Sequence, residues 1–226
     1  MRILYNDKNL LAICKPYGTP AQKDPSGDPD AMTLASGELS KMGERGELWL
    51  VHRLDRTVGG VMVFAKTKAV AADLSLKMAE KTAEKEYLAV IDGDTKGGIF
   101  TDFLYKDARL KKAFVTDRKR AGVKEASLEC IPLAASITDK DTKTLVLVKL
   151  HTGRFHQIRA QLSSRGTPIS GDGKYGSRDN RAKQLALFSY KLSFETNNKN
   201  YEIKNLPNLD TYPWSLFDSD VYGKIK

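Results

Sequence analysis

Runs of β-prone residues outnumber helical patterns in this 226-residue chain, and the helical stretches fall between them at irregular intervals. The regular strand-helix-strand rhythm of a doubly wound parallel sheet is missing, so the pattern predicts an α+β fold: a mixed, mainly antiparallel β-sheet with flanking helices. Residues 3–14 split into two short strands, the second over 10–13, at the turn formers Asn6-Asp7-Lys8-Asn9. An opening hairpin follows from that split. The run GVMVFA over 60–65 reads as a buried strand. Residues 86–91 alternate, with Tyr87, Ala89 and Ile91 on one face and Leu88 and Val90 on the other, until Gly93 ends the strand. Residues 145–148 are continuously apolar, as in a strand covered on both faces.

Two helices stand out. Thr67 is placed to cap the first, in which Val70, Leu74 and Met78 recur every four residues as an apolar stripe. The second is predicted over 155–165, stopped by Gly166 with Pro168 behind it. The proline- and glycine-rich residues 15–30 read as a crossing loop rather than an interdomain linker. No internal repeat is visible, and the length suits a single domain spanning 1–226.

Hydrophobic residues make up 41% of the chain and charged residues 29%, the balance of an ordinary globular protein. Thirty-seven Lys and Arg against 28 Asp and Glu give a formal charge of +9, which attracts polyanions. No apolar run approaches the roughly 18 residues of a membrane span and the start has no signal-peptide pattern, so a cytoplasmic location with no membrane partner is expected. Cys14 and Cys130 are too few for a disulfide framework and are expected as small core residues. The aromatic tail after Asp210, with Tyr212, Trp214, Phe217 and Tyr222, is expected to pack on the domain.

Residues 106–120 carry seven basic side chains against two acidic ones, with Phe114 as the one aromatic. Such a stretch is either an arm that grips phosphates or a solvated loop. Metal chemistry has little to stand on: the histidines are His52, His151 and His156, and five-residue spacing sends the last two to opposite sides of a strand and well apart on a helix. Phosphate-loop, dinucleotide and serine-elbow motifs are missing too. What remains is a carboxylate among arginines, Val51-His52-Arg53-Leu54-Asp55-Arg56, and a downstream segment from Gly153 through Arg154, His156, Gln157 and Ile158 to Arg159. By residue type alone the first is either a salt-bridged surface loop or a site.

Three ordered segments resemble the RluA-type family of RNA pseudouridine synthases: HRLDRTVGGVMVFAK from His52, KEYLAVIDG from Lys85, and TGRFHQIRAQLSSRGTPISGDGKYG from Thr152. The opening hairpin with its Lys15-Pro16-Tyr17-Gly18 turn and a late strand at Leu185-Ala186-Leu187 are similar as well. This resemblance implies the pseudouridine synthase fold with a central RNA-binding cleft, as one catalytic domain without a separate N-terminal RNA-binding domain. It implies an isomerase that converts uridine to pseudouridine in structured tRNA or ribosomal RNA. By the same resemblance Asp55 is the essential carboxylate, Tyr87 the active-site tyrosine, and Arg159 the arginine paired with that aspartate. Arg53 matches the arginine associated with extruding the base, and Ile158 and Leu185 help line the pocket. His52, Arg56, Arg154, His156 and Gln157 complete the expected substrate-binding set.

The isomerisation gains and loses no atoms, so no cofactor or metal is expected. A paired arginine favours an ionised carboxylate and lowers its pKa by about 1 to 3 units. Two roles stay open to Asp55, attack on the ribose or removal of a ribose proton. RNA is the expected partner, with no obligatory protein partner and a monomeric state. The chain departs from the family's usual Thr-Ser-Gly at Val58-Gly59-Gly60 and from its usual histidine at Gln161. The alternative expectation is a catalytically inactive relative that binds or chaperones RNA.

Overall fold

The computed structural model describes residues 1–138 and 141–225. The first half of the chain runs β1 (Arg2–Asn6), β2 (Leu10–Lys15), α1 (Ala31–Lys41), β3 (Trp49–Leu50), β4 (Gly59–Ala65), α2 (Lys68–Glu80), β5 (Glu84–Asp92) and β6 (Gly98–Asp107). The second half runs β7 (Lys112–Val115), β8 (Val123–Ile137), β9 (Thr142–Leu150), α3 (Gln157–Ser164), β10 (Leu187–Thr196), β11 (Lys199–Lys204) and α4 (Ser219–Gly223). The fold class is α+β with mainly antiparallel pairing, as the strand pattern predicts. Contacts divide the chain into two compact units, Met1–Lys85 with Phe188–Pro207, and Glu86–Leu187 with Asn208–Lys226.

In the first unit the predicted hairpin is β1–β2, and the Asp7 side chain shapes its turn by accepting the backbone N–H groups of Asn9 (2.8 Å) and Leu10 (2.9 Å). β4 pairs antiparallel with β2 from Leu10↔Ala65 to Lys15↔Gly60 and is buried throughout. β3 pairs with the far end of β4, while β10 meets its first residues in parallel, Phe188↔Gly59 and Ser189↔Gly60. β11 closes a hairpin on β10. Thr67 caps α2 by accepting the Val70 N–H, and Val70 and Leu74 bury the expected stripe against Val61, Val63, Leu192 and Phe194. α1, capped by Asp30, was not expected from the sequence. Cys14 is half-buried on β2.

The second unit is an antiparallel ladder in the order β5-β9-β8-β6-β7. Its inner face packs Leu104, Ala113 and Ala126 against Ala160 of α3 and Tyr175. Buried Cys130 lies on β8. Asp92 and Asp179 both hold the buried Lys143 ammonium, at 2.5 Å and 2.6 Å, and Tyr212 donates to Asp179. With Trp214, Phe217 and Tyr222 buried, the aromatic tail packs as expected.

Three boundaries differ from the sequence reading. The helix predicted over 155–165 is α3, which starts at Gln157 because His156 takes a left-handed backbone (φ 50°) that a continuing helix excludes. The late strand starts at Leu187 rather than Leu185 and runs on to Thr196. The basic residues 106–120 span the end of β6, all of β7 and the approach to β8, and so form a hairpin rather than a loop.

Candidate active site

Asp55 sits on the loop between β3 and β4, and alternation fixes its posture. Val51, Leu54 and Val58 are buried, Arg53 and Arg56 are exposed, and Asp55 lies half-buried between them. Its carbonyl accepts the Val58 N–H at 3.0 Å, which closes the turn into β4. The fully buried Lys15, at the end of β2, braces this loop. Its Nζ donates to the carbonyls of Pro16 (3.0 Å), Thr19 (2.7 Å) and Arg56 (3.3 Å). Burial pulls the Lys15 pKa down to about 8, against the opposing pull of the Asp55 carboxylate. Lys15 was quoted in the sequence only as part of a turn; a lone lysine ending an apolar strand ahead of Pro-x-Gly was the readable signal.

His52 has a backbone task. Its Nε2 accepts the Val63 N–H at 3.0 Å, on the edge of β4 where pairing with β3 has ended and pairing with β10 has not begun. Ser189 fills the same interval by donating its Oγ to the Val61 carbonyl at 3.0 Å. Two side chains thus replace missing ladder bonds that would otherwise leave buried backbone groups unsatisfied. An accepting Nε2 requires neutral imidazole, and burial, helped by the nearby Lys85 charge, holds the His52 pKa down to about 3.

Gly60 (φ 114°) is where β10 crosses closest, since a Cβ there would lie 2.2 Å from the Ser189 carbonyl oxygen. At Gly59 a Cβ would lie 2.9 Å from the Tyr17 ring, so the departure from Thr-Ser-Gly is matched by an aromatic ring filling the space. Arg56 pairs with Asp28 and donates to Ser26 (3.0 Å), pinning the crossing loop. Arg53 faces solvent beside an open pocket of about 320 Å³ shared with Gln22, Leu50, Val51 and His52.

In the second unit Tyr87 is buried on β5 opposite Val148 of β9, and Arg159 is buried in the first turn of α3. Asp172 grips Arg159 in fork geometry, with Nε to Oδ2 at 2.6 Å and Nη2 to Oδ1 at 2.8 Å. Nη1 faces the His156 Nε2 at 3.2 Å, and the guanidinium carbon lies 4.8 Å from the Tyr175 ring centre. Burial, with the charges of Arg159, Lys174 and Lys106, holds the His156 pKa down to about 3. Asp172 and Tyr175 were quoted from the sequence without roles; they bound a single short 3₁₀ turn.

Gln157, expected among the substrate contacts, is spent inside the protein. Its Oε1 accepts the Thr152 hydroxyl (2.7 Å) and the Arg154 N–H (3.0 Å), and its Nε2 donates to the Ser127 carbonyl (3.1 Å). Arg154 in turn donates Nε to the Glu125 carbonyl at 2.9 Å. Ile158 and Leu185 are both buried, and Ala186, beside Leu185, bonds the backbone of Ser170 and Val90. At the second departure, buried Gln161 aims its amide nitrogen at Asp102 (2.6 Å) and at the Phe100 carbonyl (3.2 Å).

The two units thus hold a braced half-buried aspartate and a forked buried arginine, and among the described residues no His, Cys, Asp or Glu cluster is fit for a metal. The particular family is plain: residues 9–164 match the RNA pseudouridylate synthases, and the chain belongs to that family. It is similar to an uncharacterized RNA pseudouridine synthase, YhcT, of Bacillus subtilis strain 168, with 31% identity over 193 residues covering 84% of this chain and 62% of that protein. Ribosomal large subunit pseudouridine synthase D of Zymomonas mobilis is 29% identical over 203 residues, covering 86% of this chain and 61% of that one. The chain thus spans about three fifths of the length of these relatives. The structure of human RNA pseudouridylate synthase domain containing 4 shares the fold, at 24% identity and a TM-score of 0.75, over 95% of this chain and 90% of that one.

Proposed function

We propose that the chain isomerises uridine to pseudouridine in structured tRNA or ribosomal RNA, as one catalytic domain over 1–226. The observation that carries this reading is the family match over residues 9–164, which takes in Asp55, Tyr87 and Arg159 together. Asp55 acts on the nucleotide as its anion, which Arg159 favours by charge. The bond between N1 and the ribose breaks, the uracil turns, and a bond forms from C5 to the same ribose carbon. The C5 proton then leaves and N1 gains one, so atoms balance without a cofactor. Tyr87 stacks against the uracil and takes part in the removal of the C5 proton.

A stacked uridine has to be flipped out, at about a few kcal/mol, and exposed Arg53 is the side chain that fills the gap. The net charge of +9 supports affinity and register through phosphates, with sequence choice left to a few base contacts. The protein works as a monomer in the cytoplasm without an obligatory protein partner. The test is tritium release from uracil C5 in RNA taken from cells lacking the gene. Wild type releases tritium and Asp55→Asn does not; RNA that is bound while its tritium stays in place would reject the enzymatic reading.

A further inference from the structure

Tyr175 touches Arg159 and its neighbour His156, and also the basic hairpin. Its Oη accepts the Ala113 N–H of β7 at 2.7 Å and lies 3.0 Å from the His156 Nδ1. Its ring carries two cations, the Arg159 guanidinium and the Lys112 ammonium, each 4.8 Å from the centroid. Its backbone is fixed from both sides, with the carbonyl accepting the Ser163 hydroxyl at 2.6 Å and the N–H donating to the Asp172 carbonyl at 2.9 Å. One four-residue turn therefore delivers both the Asp172 carboxylate and the Tyr175 ring to the same arginine.

The proton positions follow from the donors. An arginine Nη1 can only donate, so the His156 Nε2 accepts, and the neutral ring carries its proton on Nδ1, aimed at the Tyr175 Oη. His156 reaches this position through its left-handed backbone, and its ring stacks on Phe155 with centroids 3.8 Å apart. Phe155 in turn lies under the Lys106 ammonium at 4.6 Å. Strained backbone of this kind persists only where the surroundings over-determine it. Both routes from Arg159, through the Tyr175 ring and through His156 and Phe155, end on basic side chains of the β6–β7 hairpin.

We propose that Tyr175 is a positioning residue that couples RNA docking on Lys106 and Lys112 of this hairpin to the orientation of Arg159. The proposal rests on the reading that Arg159 serves uridine isomerisation. The physical device is a shared ring: Lys112 and Arg159 both rest on Tyr175, so a backbone phosphate that fixes Lys112 over the ring also fixes the surface on which Arg159 lies. RNA bound at the hairpin thereby stiffens the arginine that the reaction uses, before any base is engaged. Sequence-independent phosphate contacts then contribute to turnover as well as to affinity.

Four proteins test it: wild type, Tyr175→Phe, Lys112→Ala and the double variant, each assayed for single-turnover tritium release at saturating RNA from cells lacking the gene. Tyr175→Phe keeps the ring and loses the hydroxyl that locks it, and is expected to slow the step by ten-fold or more with RNA affinity within two-fold. Lys112→Ala is expected to slow the saturated step at least three-fold in wild type and to add nothing in the Tyr175→Phe background. Equal effects of Lys112→Ala in both backgrounds, or an unchanged rate in Tyr175→Phe, would overturn the coupling. A purely structural tyrosine lowers stability without producing this non-additivity.

A readout without turnover separates this proposal from the isomerase reading. The Arg159 Nε–H resonance, assigned by its loss in Arg159→Lys, is expected to shift when that RNA is added to wild type and to stay still in Lys112→Ala. A Lys112-dependent shift in a protein that releases no tritium would keep the coupling and sink the isomerase reading. A resonance that shifts equally in wild type and Lys112→Ala would sink the coupling even where tritium is released, and it does so whether or not Tyr175→Phe folds.

Discussion

Replacing Asp172 by asparagine keeps the shape of the side chain and removes its charge. In the native fork the two carboxylate oxygens take Nε and Nη2 of Arg159 at 2.6 Å and 2.8 Å, and both residues are buried. Asparagine can answer only one of those donors and turns an N–H₂ group toward the other. Removing one charge of a buried hydrogen-bonded pair costs up to about 3–5 kcal/mol, because the buried guanidinium loses its forked carboxylate. Native stabilities are about 5–15 kcal/mol, so the loss is a large fraction of the whole. With the urea dependence of a chain this size, the unfolding midpoint should fall by about 1–2 M, read by circular dichroism. Changing both residues, Arg159→Met with Asp172→Asn, removes both charges and should cost less than the sum of the single changes. A fall below about 0.3 M for Asp172→Asn, or additive losses in the cycle, would refute the claim that this fork stabilises the buried guanidinium.

The His52→Gln variant retains an acceptor for the Val63 N–H but cannot titrate. Native His52 has its pKa held near 3 while the unfolded chain takes its proton near 6.5, so between those values the unfolded state binds more protons and stability falls as pH drops. His52→Gln should flatten that slope by about 1.4 kcal/mol per pH unit between pH 5.5 and 4, measured by urea midpoints; an unchanged slope would contradict the neutral acceptor. Gly60→Ala places a Cβ against the Ser189 carbonyl in a left-handed backbone and should cost about 2–6 kcal/mol, seen as loss of soluble protein or a large fall in Tm. Lys15→Met strips the donor from the Pro16 and Thr19 carbonyls, and tritium release should fall at least ten-fold while RNA affinity in a filter assay stays within two-fold. Equal losses of rate and affinity would mean that Lys15 does not brace the Asp55 loop.

The elements legible in the sequence are those whose pattern records burial. β4 and the 145–148 stretch of β9 are apolar because both faces are covered, and α2 carries a stripe and a cap written in its own sequence. α1 was also readable, since Asp30 caps a run in which Ala31, Ala35 and Leu39 are buried every four residues, but its interior Gly37 and Thr33 mask the helix. β6 to β8 escaped because their outer faces are polar, and seven basic side chains over 106–120 conceal a hairpin whose inner face rests on α3 and Tyr175. Asp55, Tyr87 and Arg159 were expected from their segments alone, whereas the contacts of Lys15, Asp172 and Tyr175 reach partners far along the chain or backbone carbonyls. Such partners leave no periodic trace. His52 and Gln157 show the converse: they were marked as substrate contacts, and the fold spends their side chains on backbone bonds.

The most direct measurement uses the carbodiimide adduct of pseudouridine, which halts reverse transcription, across all RNA of a strain deleted for the gene. One or more halts in tRNA or ribosomal RNA are expected to vanish on deletion, to return with the wild-type chain, and to stay absent when Asp55→Asn is supplied at the same level. Halts restored by Asp55→Asn, or an unchanged pattern in every RNA after deletion, would contradict that expectation.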